Sequence, residues 1–252
     1  KRYFSMSTEE KRKCAVEKGG FLRGYIGMGD ESGSDALEVK EAYSFGYPWD
    51  KQRIPENSMQ GPNVWPTLEG WQQEMESFFA DMIRISEALT RAFSLSYGKP
   101  EDYLGRYCQS GDTISVMRMF HYFPYSAADD RFPDQRDRIG SSAHTDWGFL
   151  TLILQQDHVT GLQLWYDDEW HDIVPEPGTL LVNGGDYFSL LTDGEYRSPL
   201  HRVVSQGGER LSAVLFYYPS FDARIPLMAR QDYSLFKNQV HSGGEVEKNA
   251  VS

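Results

Sequence analysis

His144, Thr145 and Asp146 set an imidazole and a carboxylate two residues apart. On a β-strand the side-chain period is two, so both would leave the same face and could bind one ion. Alone the pair means little, because 6 His and 19 Asp among 252 residues supply roughly half of one such pair by chance. His201 provides a third donor if its strand lies beside the first. Two imidazoles and one carboxylate on one side of an ion leave three positions open, which suits non-haem Fe(II) and O2 chemistry. Catalytic zinc usually keeps a single open position, so the set favours iron without excluding manganese or zinc.

A second chemical signal follows nine residues after His201. Arg210, Leu211 and Ser212 open an apolar run, Ala213 to Tyr218. With period two, Arg210, Ser212, Val214 and Phe216 share a face, so a guanidinium and a hydroxyl would enter an apolar interior. A buried guanidinium needs a carboxylate partner. Either an acidic residue of the protein supplies it, or a small-molecule carboxylate does, held by a bidentate match. Of the other histidines, His158 and His171 lack partners at metal-ligand spacing, and His241 lies in a polar tail.

These groups need strands to hold them. Short β-rich runs fill the chain after Gly111: Thr113 to Phe123, Phe149 to Gln155, Leu162 to Tyr166, Glu169 to Val174, Thr179 to Asn183, His201 to Ser205 and Leu211 to Tyr218. Turn signals at Thr160-Gly161, Pro177-Gly178, Asp193-Gly194 and Gly207-Gly208 separate them, a pattern that predicts a sandwich or jelly roll. Before Gly111 the texture is helical and irregular. Ser7 and Glu10 form a candidate capping box for a helix running to Gly19 and Gly20. The Gly-, Pro- and Ser-containing stretch from Gly24 to Pro66 reads as a long ordered loop whose aromatics cover the core. Trp71, Met75, Phe78, Phe79, Met82, Ile85 and Leu89 recur at helical steps, predicting an amphipathic helix over about 67 to 97. A shorter helix is expected from Pro100 to about Tyr107, and a frayed tail from Ser242 to Ser252.

The fold class expected is mostly β with flanking helices. At 252 residues one domain suffices, with a helical and loop region over 1–110, a jelly-roll core over 111–221 and a C-terminal segment over 222–252. A net charge of −12 argues against nucleic acid, which needs a concentrated excess of Lys and Arg. No apolar run approaches membrane-spanning length, and Lys1 to Gly20 is charged where a signal peptide would be apolar, so a cytoplasmic protein is expected. Cys14 and Cys108 stand far apart and read as reduced structural thiols.

Taken in order, His144-x-Asp146, His201 and Arg210-x-Ser212 resemble the motif set of the isopenicillin N synthase-like Fe(II)/2-oxoglutarate oxygenases. Arg23-Gly24-Tyr25, Lys40-Glu41, Gln60-Gly61-Pro62-Asn63-x-Trp65-Pro66, Gly161-Leu162-Gln163, Pro177-Gly178, Asn183-x-Gly185-Asp186 and His201-Arg202-Val203 extend the resemblance over nearly the whole chain. The resemblance implies a distorted double-stranded β-helix, Fe(II) held by His144, Asp146 and His201, and the distal carboxylate of 2-oxoglutarate held by Arg210 and Ser212. It further implies that O2 arrives last, that succinate and CO2 are released, and that a hydrogen atom is taken from a small-molecule substrate. Hydroxylation, desaturation and ring closure are all compatible with it. Two other readings stand beside it: an oxidase of the same fold that does not use 2-oxoglutarate, and a non-catalytic jelly-roll binding module. One segment departs from the family pattern, since His121-Tyr122-Phe123-Pro124 stands where many relatives have Asn-Tyr-Tyr-Pro. His121 and Arg118 are candidate contacts to substrate or cosubstrate, both suited to an anionic group on the substrate. A monomer is the simplest expectation.

Overall fold

The computed structural model describes residues 1–16, 22–31, 34–49, 54–55, 59–108, 114–125, 138–205 and 208–224. The expected helix end at Gly19 and Gly20, His241 and the tail from Ser242 lie outside the described residues. Two antiparallel sheets carry the structure. The larger contains β1 (Gly24–Ile26), β3 (Lys40–Gly46), β4 (Val116–Tyr122), β7 (Leu150–Gln155), β10 (Leu181–Gly184) and β12 (Arg210–Tyr217), in the spatial order β1-β3-β4-β12-β7-β10. The smaller contains β6 (Ser141–His144), β8 (Leu162–Tyr166), β9 (Glu169–Asp172) and β11 (His201–Val203), in the order β6-β11-β8-β9. A parallel pair, β2 (Leu37–Glu38) with β5 (Arg138–Ile139), lies beside them. From β4 onward the chain passes repeatedly between the two sheets, which is the jelly-roll, double-stranded β-helix path expected from the strand runs.

The larger sheet is buried on both faces, and its sequence shows why. On β12, Leu211, Ala213, Leu215 and Tyr217 pack into the main core, while Val214 and Phe216 pack into a second cluster between the sheets. Cross-strand register sets Arg210 opposite Tyr122, Ser212 opposite Phe120 and Val214 opposite Arg118, so these residues share the inner face. Adjacent residues such as Met117, Met119 and His121 therefore leave the other face of β4.

Helix α2 (Trp71–Ser96) covers the outer face, slightly shorter than the pattern predicts. Its core-facing side includes the stripe read from hydrophobicity except for Ile85, since Trp71, Phe79 and Met82 are buried and Met75, Phe78 and Leu89 pack against the main core. After Trp71, Phe79, Met82 and Ile83 it continues through Ser86, Thr90 and Ser94, while Ile85 is 39% exposed. The hydroxyls need no external partner: Ser86 donates to the Met82 carbonyl at 2.9 Å and Ser94 to the Thr90 carbonyl at 2.7 Å.

Three local expectations need correction. The stretch 24–66 is not only loop, because β1, β2 and β3 lie within it. Alternation in Lys40–Gly46 sends Tyr43 and Phe45 to the main core and Ala42 to the inner cluster. Helix α1 spans only Thr8–Arg12, with Ser7 accepting from the Glu10 N–H at 3.2 Å. Between Pro100 and Tyr107 the regular part is one 3-10 turn, Gly105–Tyr107. A further short helix, α3 (Asp186–Leu191), follows β10 and was not anticipated. Among the described residues no helix is long and apolar enough to cross a membrane.

Candidate active site

β11 lies between β6 and β8, and its register sets His201 directly opposite His144. The two imidazole centroids are 4.3 Å apart. Each ring is oriented by its own backbone: Nδ1 of His144 donates to the Ser142 carbonyl at 2.7 Å, and Nδ1 of His201 to the Pro199 carbonyl at 3.0 Å. A carbonyl can only accept, so Nδ1 carries the proton in both, leaving the Nε2 lone pairs free for an ion. The strand carrying His144 is itself tied down, because Glu38 accepts from the Ser142 N–H at 2.8 Å.

Asp146 reaches the same point by another route. It lies beyond the end of β6, so strand alternation does not align it with His144 as the sequence suggested. A loop clamp does so instead. The Asp146 carbonyl accepts from the Asp186 N–H at 2.7 Å and from the Ser198 hydroxyl at 3.3 Å. Its side-chain Oδ2 accepts from Asn183 Nδ2 at 3.0 Å, which fixes the rotation of the carboxylate. Gly185 permits the clamp, since a Cβ there would sit 2.1 Å from the Gly148 carbonyl oxygen and 2.8 Å from that of Asp146. The donor atoms of His144, Asp146 and His201 all lie within 4.8 Å of one another. His144 Nε2 is 3.7 Å from Asp146 Oδ1, and His201 Nε2 is 3.8 Å from Oδ2.

His144 is the most open of the three, with 43% of its side chain exposed against 11% for His201 and 4% for Asp146. Enough protein nevertheless crowds its ring for desolvation to lower its pKa, and nearby His201 adds to the shift against the opposing charge of Asp146. Both effects favour the neutral imidazole that a metal requires. Two nitrogen donors with fixed tautomers and one oriented carboxylate thus suit a divalent ion that keeps open positions.

The triad opens onto a cavity between the sheets, whose apolar wall includes Phe120, Ile153, Leu162, Val214 and Phe216, and which also contains Arg210 and Ser212. Arg210 is 4% exposed. Its Nη2 donates to Gln155 Oε1 at 3.1 Å and its guanidinium lies 5.0 Å from the Tyr122 ring centroid. Nε and Nη1 are buried with no hydrogen-bond partner. No carboxylate of the described residues pairs with this cation, so the acidic-residue alternative finds no support there. A buried guanidinium with unused donors facing a cavity fits a carboxylate ligand.

The two remaining candidates separate. His121 does not line the cavity. The register of β4 turns it to the outer face, where Nδ1 lies 2.9 Å from Glu41 Oε1 and the ring packs against Phe4 and Phe123. Glu41 also binds Lys11 at 2.7 Å and Tyr25 at 2.6 Å, so His121 belongs to a buried structural network. Arg118 is on the inner face but outside the lining of this cavity, held by Glu31 at 3.0 and 3.2 Å. Sequence reasoning gave no role to Asn183, although an amide within the apolar run Leu180–Asn183 was a visible signal. It also passed over Gln155 and Trp147.

Comparison with known proteins agrees with this arrangement. Residues 113–219 match the 2OG-Fe(II) oxygenase superfamily, and residues 1–68 match the N-terminal region named for a non-haem dioxygenase of morphine synthesis. Homoarginine-6-hydroxylase 2-ODD-C23 of Glycine max is 32% identical, the match covering 89% of this chain and 69% of that protein. The 2-oxoglutarate-dependent dioxygenase caaD of Aspergillus niger is 28% identical, with 90% and 70% covered. The fold is shared with a full-length Neurospora crassa protein crystallised in complex with alpha-KG, at a TM-score of 0.75, 24% identity, and 90% and 71% coverage. The chain belongs to the 2-oxoglutarate- and Fe(II)-dependent oxygenases. It is an oxidoreductase of the dioxygenase type that acts on a small molecule, with Fe(II) and 2-oxoglutarate as its cofactor and cosubstrate.

Proposed function

We propose that His144, Asp146 and His201 hold the ferrous ion, that Arg210 and Ser212 hold the distal carboxylate of 2-oxoglutarate, and that Arg118 receives an anionic group of the organic substrate. The observation that carries the reading is the buried Arg210 guanidinium, whose Nε and Nη1 lack partners in the same cavity as the metal-ligating set. When bound, the ion supplies the redox chemistry by which O2 oxidatively decarboxylates 2-oxoglutarate to succinate and CO2 and a hydrogen atom is taken from the substrate.

The chain's own part is positional. The Ser142 and Pro199 carbonyls hold the imidazole tautomers, and Asn183 holds the carboxylate. Apolar walls at Ile153, Leu162 and Val214 exclude water, which strengthens the hold of Arg210 on a carboxylate. The exposed Trp147 directly follows Asp146 and stacks on Tyr218 with centroids 4.4 Å apart, offering a flat wall to the substrate at the mouth.

Arg118 and Arg23 support the anionic preference. Arg23 is buried, donates to the Leu22 and Met59 carbonyls, and keeps Nε unpaired. Desolvation, with repulsion from Arg118, pushes its pKa down to about 10. Arg118 pairs with the carboxylate of Glu31, which a substrate anion could replace.

Fe(II)-loaded protein given 2-oxoglutarate and O2 tests the central reading. Succinate should appear, and His201→Ala should lose both the bound iron and succinate release. Iron retained at full stoichiometry by that variant, or no succinate from the parent, would reject the assignment. For the substrate, incubation with a metabolite extract should consume anionic compounds in preference to neutral ones, and Arg118→Gln should erase the preference.

A further inference from the structure

A second cavity, about 250 Å3, adjoins the first at His201 and is lined by residues of β8 and β10 and by Ile173. Leu164, Ile173, Leu181 and Val182 belong to its wall and not to that of the first cavity. Ile153, Leu162 and His201 line both, so a single layer of side chains separates the two spaces. Asn183, which holds the Asp146 carboxylate, also borders it.

We propose that this apolar cavity is the route by which O2 reaches the site. The inference rests on the metal-site assignment above. Three observations converge on a small apolar gas as the occupant. First, aliphatic side chains make up half of the wall and hold an apolar molecule well, its polar members being Gln163, Asn183, Arg197 and His201. Second, the space touches His201 but not His144, so it meets the ligand set elsewhere than at its most exposed imidazole. Third, Arg210 and Ser212 share the first cavity with the metal-ligating residues, so a bound 2-oxoglutarate and a substrate beside Trp147 would obstruct the mouth. A cosubstrate that must arrive after both needs another entrance, and this wall provides one. Movement of Leu162 or Ile153 between rotamers would connect the spaces for a diatomic molecule.

Xenon marks apolar gas-accessible cavities and needs neither metal nor turnover. Crystals of the metal-free protein pressurised with xenon should show the gas against Leu181 and Ile173, and Leu181→Trp should displace it. In the iron-loaded enzyme, Leu181→Trp should raise KM for O2 several-fold in succinate release while leaving the affinity for 2-oxoglutarate unchanged. Ile173→Ala should lower KM for O2 or leave it at the parent value, and it serves if the tryptophan variant fails to fold, because it must not raise it. An unoccupied cavity under xenon overturns the proposal. So does a tryptophan variant with unaltered KM for O2, or one whose defect lies in 2-oxoglutarate or organic-substrate binding, which would assign the space to an organic ligand. If the metal-site assignment fails instead, the parent enzyme releases no succinate at any O2 concentration while the xenon result stands.

Discussion

Replacing Arg210 by Met separates what this residue contributes to folding from what it contributes to binding. Methionine keeps much of the length and apolar character of the arginine stem but removes the charge. Two donors, Nε and Nη1, are free for a ligand carboxylate. Charge-assisted hydrogen bonds contribute about 1.5–3 kcal/mol each, so the pair accounts for about 3–6 kcal/mol of 2-oxoglutarate binding. At about 1.4 kcal/mol per tenfold, Kd should rise by about 100- to 20,000-fold. Without ligand the sign reverses. Each unsatisfied buried donor costs about 1–3 kcal/mol, while the one bond lost, to the half-buried Gln155, can pass to water. The ligand-free variant should therefore unfold in urea at the same or a higher midpoint than the parent. Titration calorimetry under anaerobic conditions with Fe(II) gives the affinity, and urea melts with and without 2-oxoglutarate give the stabilities. At 100 times its Kd the cosubstrate should stabilise the parent by about 2.7 kcal/mol and leave the variant unmoved. Binding within tenfold of the parent, or a clear loss of ligand-free stability, refutes the reasoning, since either means the protein already satisfies this guanidinium.

Three further outcomes follow from the clamp and the back-face network. Asn183→Leu removes the amide that holds Asp146 Oδ2 and should weaken metal affinity by about 10–100-fold, measured by competition with a chelating dye, with the far-UV spectrum unchanged. Gly185→Ala places a Cβ 2.1 Å from the Gly148 carbonyl oxygen, so the loop bearing Asp146 must shift; both thermal stability and bound iron should fall together. Glu41→Gln breaks a buried pair with Lys11 and should destabilise by about 3–5 kcal/mol at pH 7 in urea titrations. Burial pushes the Glu41 carboxyl up, but bonds from His121, Lys11 and Tyr25 outweigh it and hold its pKa below the ordinary value. A depressed folded pKa stabilises fully above the unfolded value of about 4.3 and less as pH falls through the folded one. The gap between parent and Glu41→Gln should therefore narrow below about pH 4.3, and an unchanged gap at pH 3 would contradict the network.

The fold was legible where a strand or helix carries its own period. β12 is readable because its two residue sets serve two buried faces, and β8 begins directly after the turn signal at Thr160-Gly161. β1 and β3 were not readable, because short strands in a Gly- and Ser-bearing stretch depend on partners far away. Ser44 lies opposite Arg118 and Gly24 opposite Ser44, pairings that no local window contains. In α2 the buried stripe runs onto Ser86, Thr90 and Ser94, where small size lets the helix lie close to the sheet, and a hydrophobicity pattern cannot see this.

The site divides in the same way, between residue chemistry and its placement. Donor types at His144, Asp146 and His201 were plain from the sequence, yet the stated reason for their convergence holds only for the two histidines, which are cross-strand partners. Asp146 is brought in by Asn183, Gly185 and Asp186, some forty residues downstream, through a backbone approach that glycine alone permits. His121 shows the complementary failure. Standing where many relatives have the Asn of Asn-Tyr-Tyr-Pro, it looked available for ligand contact, but only the pairing of Tyr122 with Arg210 reveals the phase of β4 and sends His121 to the opposite face. Side-chain chemistry is local and phase is not. It follows that metal affinity in this enzyme should be more sensitive to changes at 183–186, which touch the carboxylate's support, than to changes at His121, though the latter lies in the segment that departs from the family pattern.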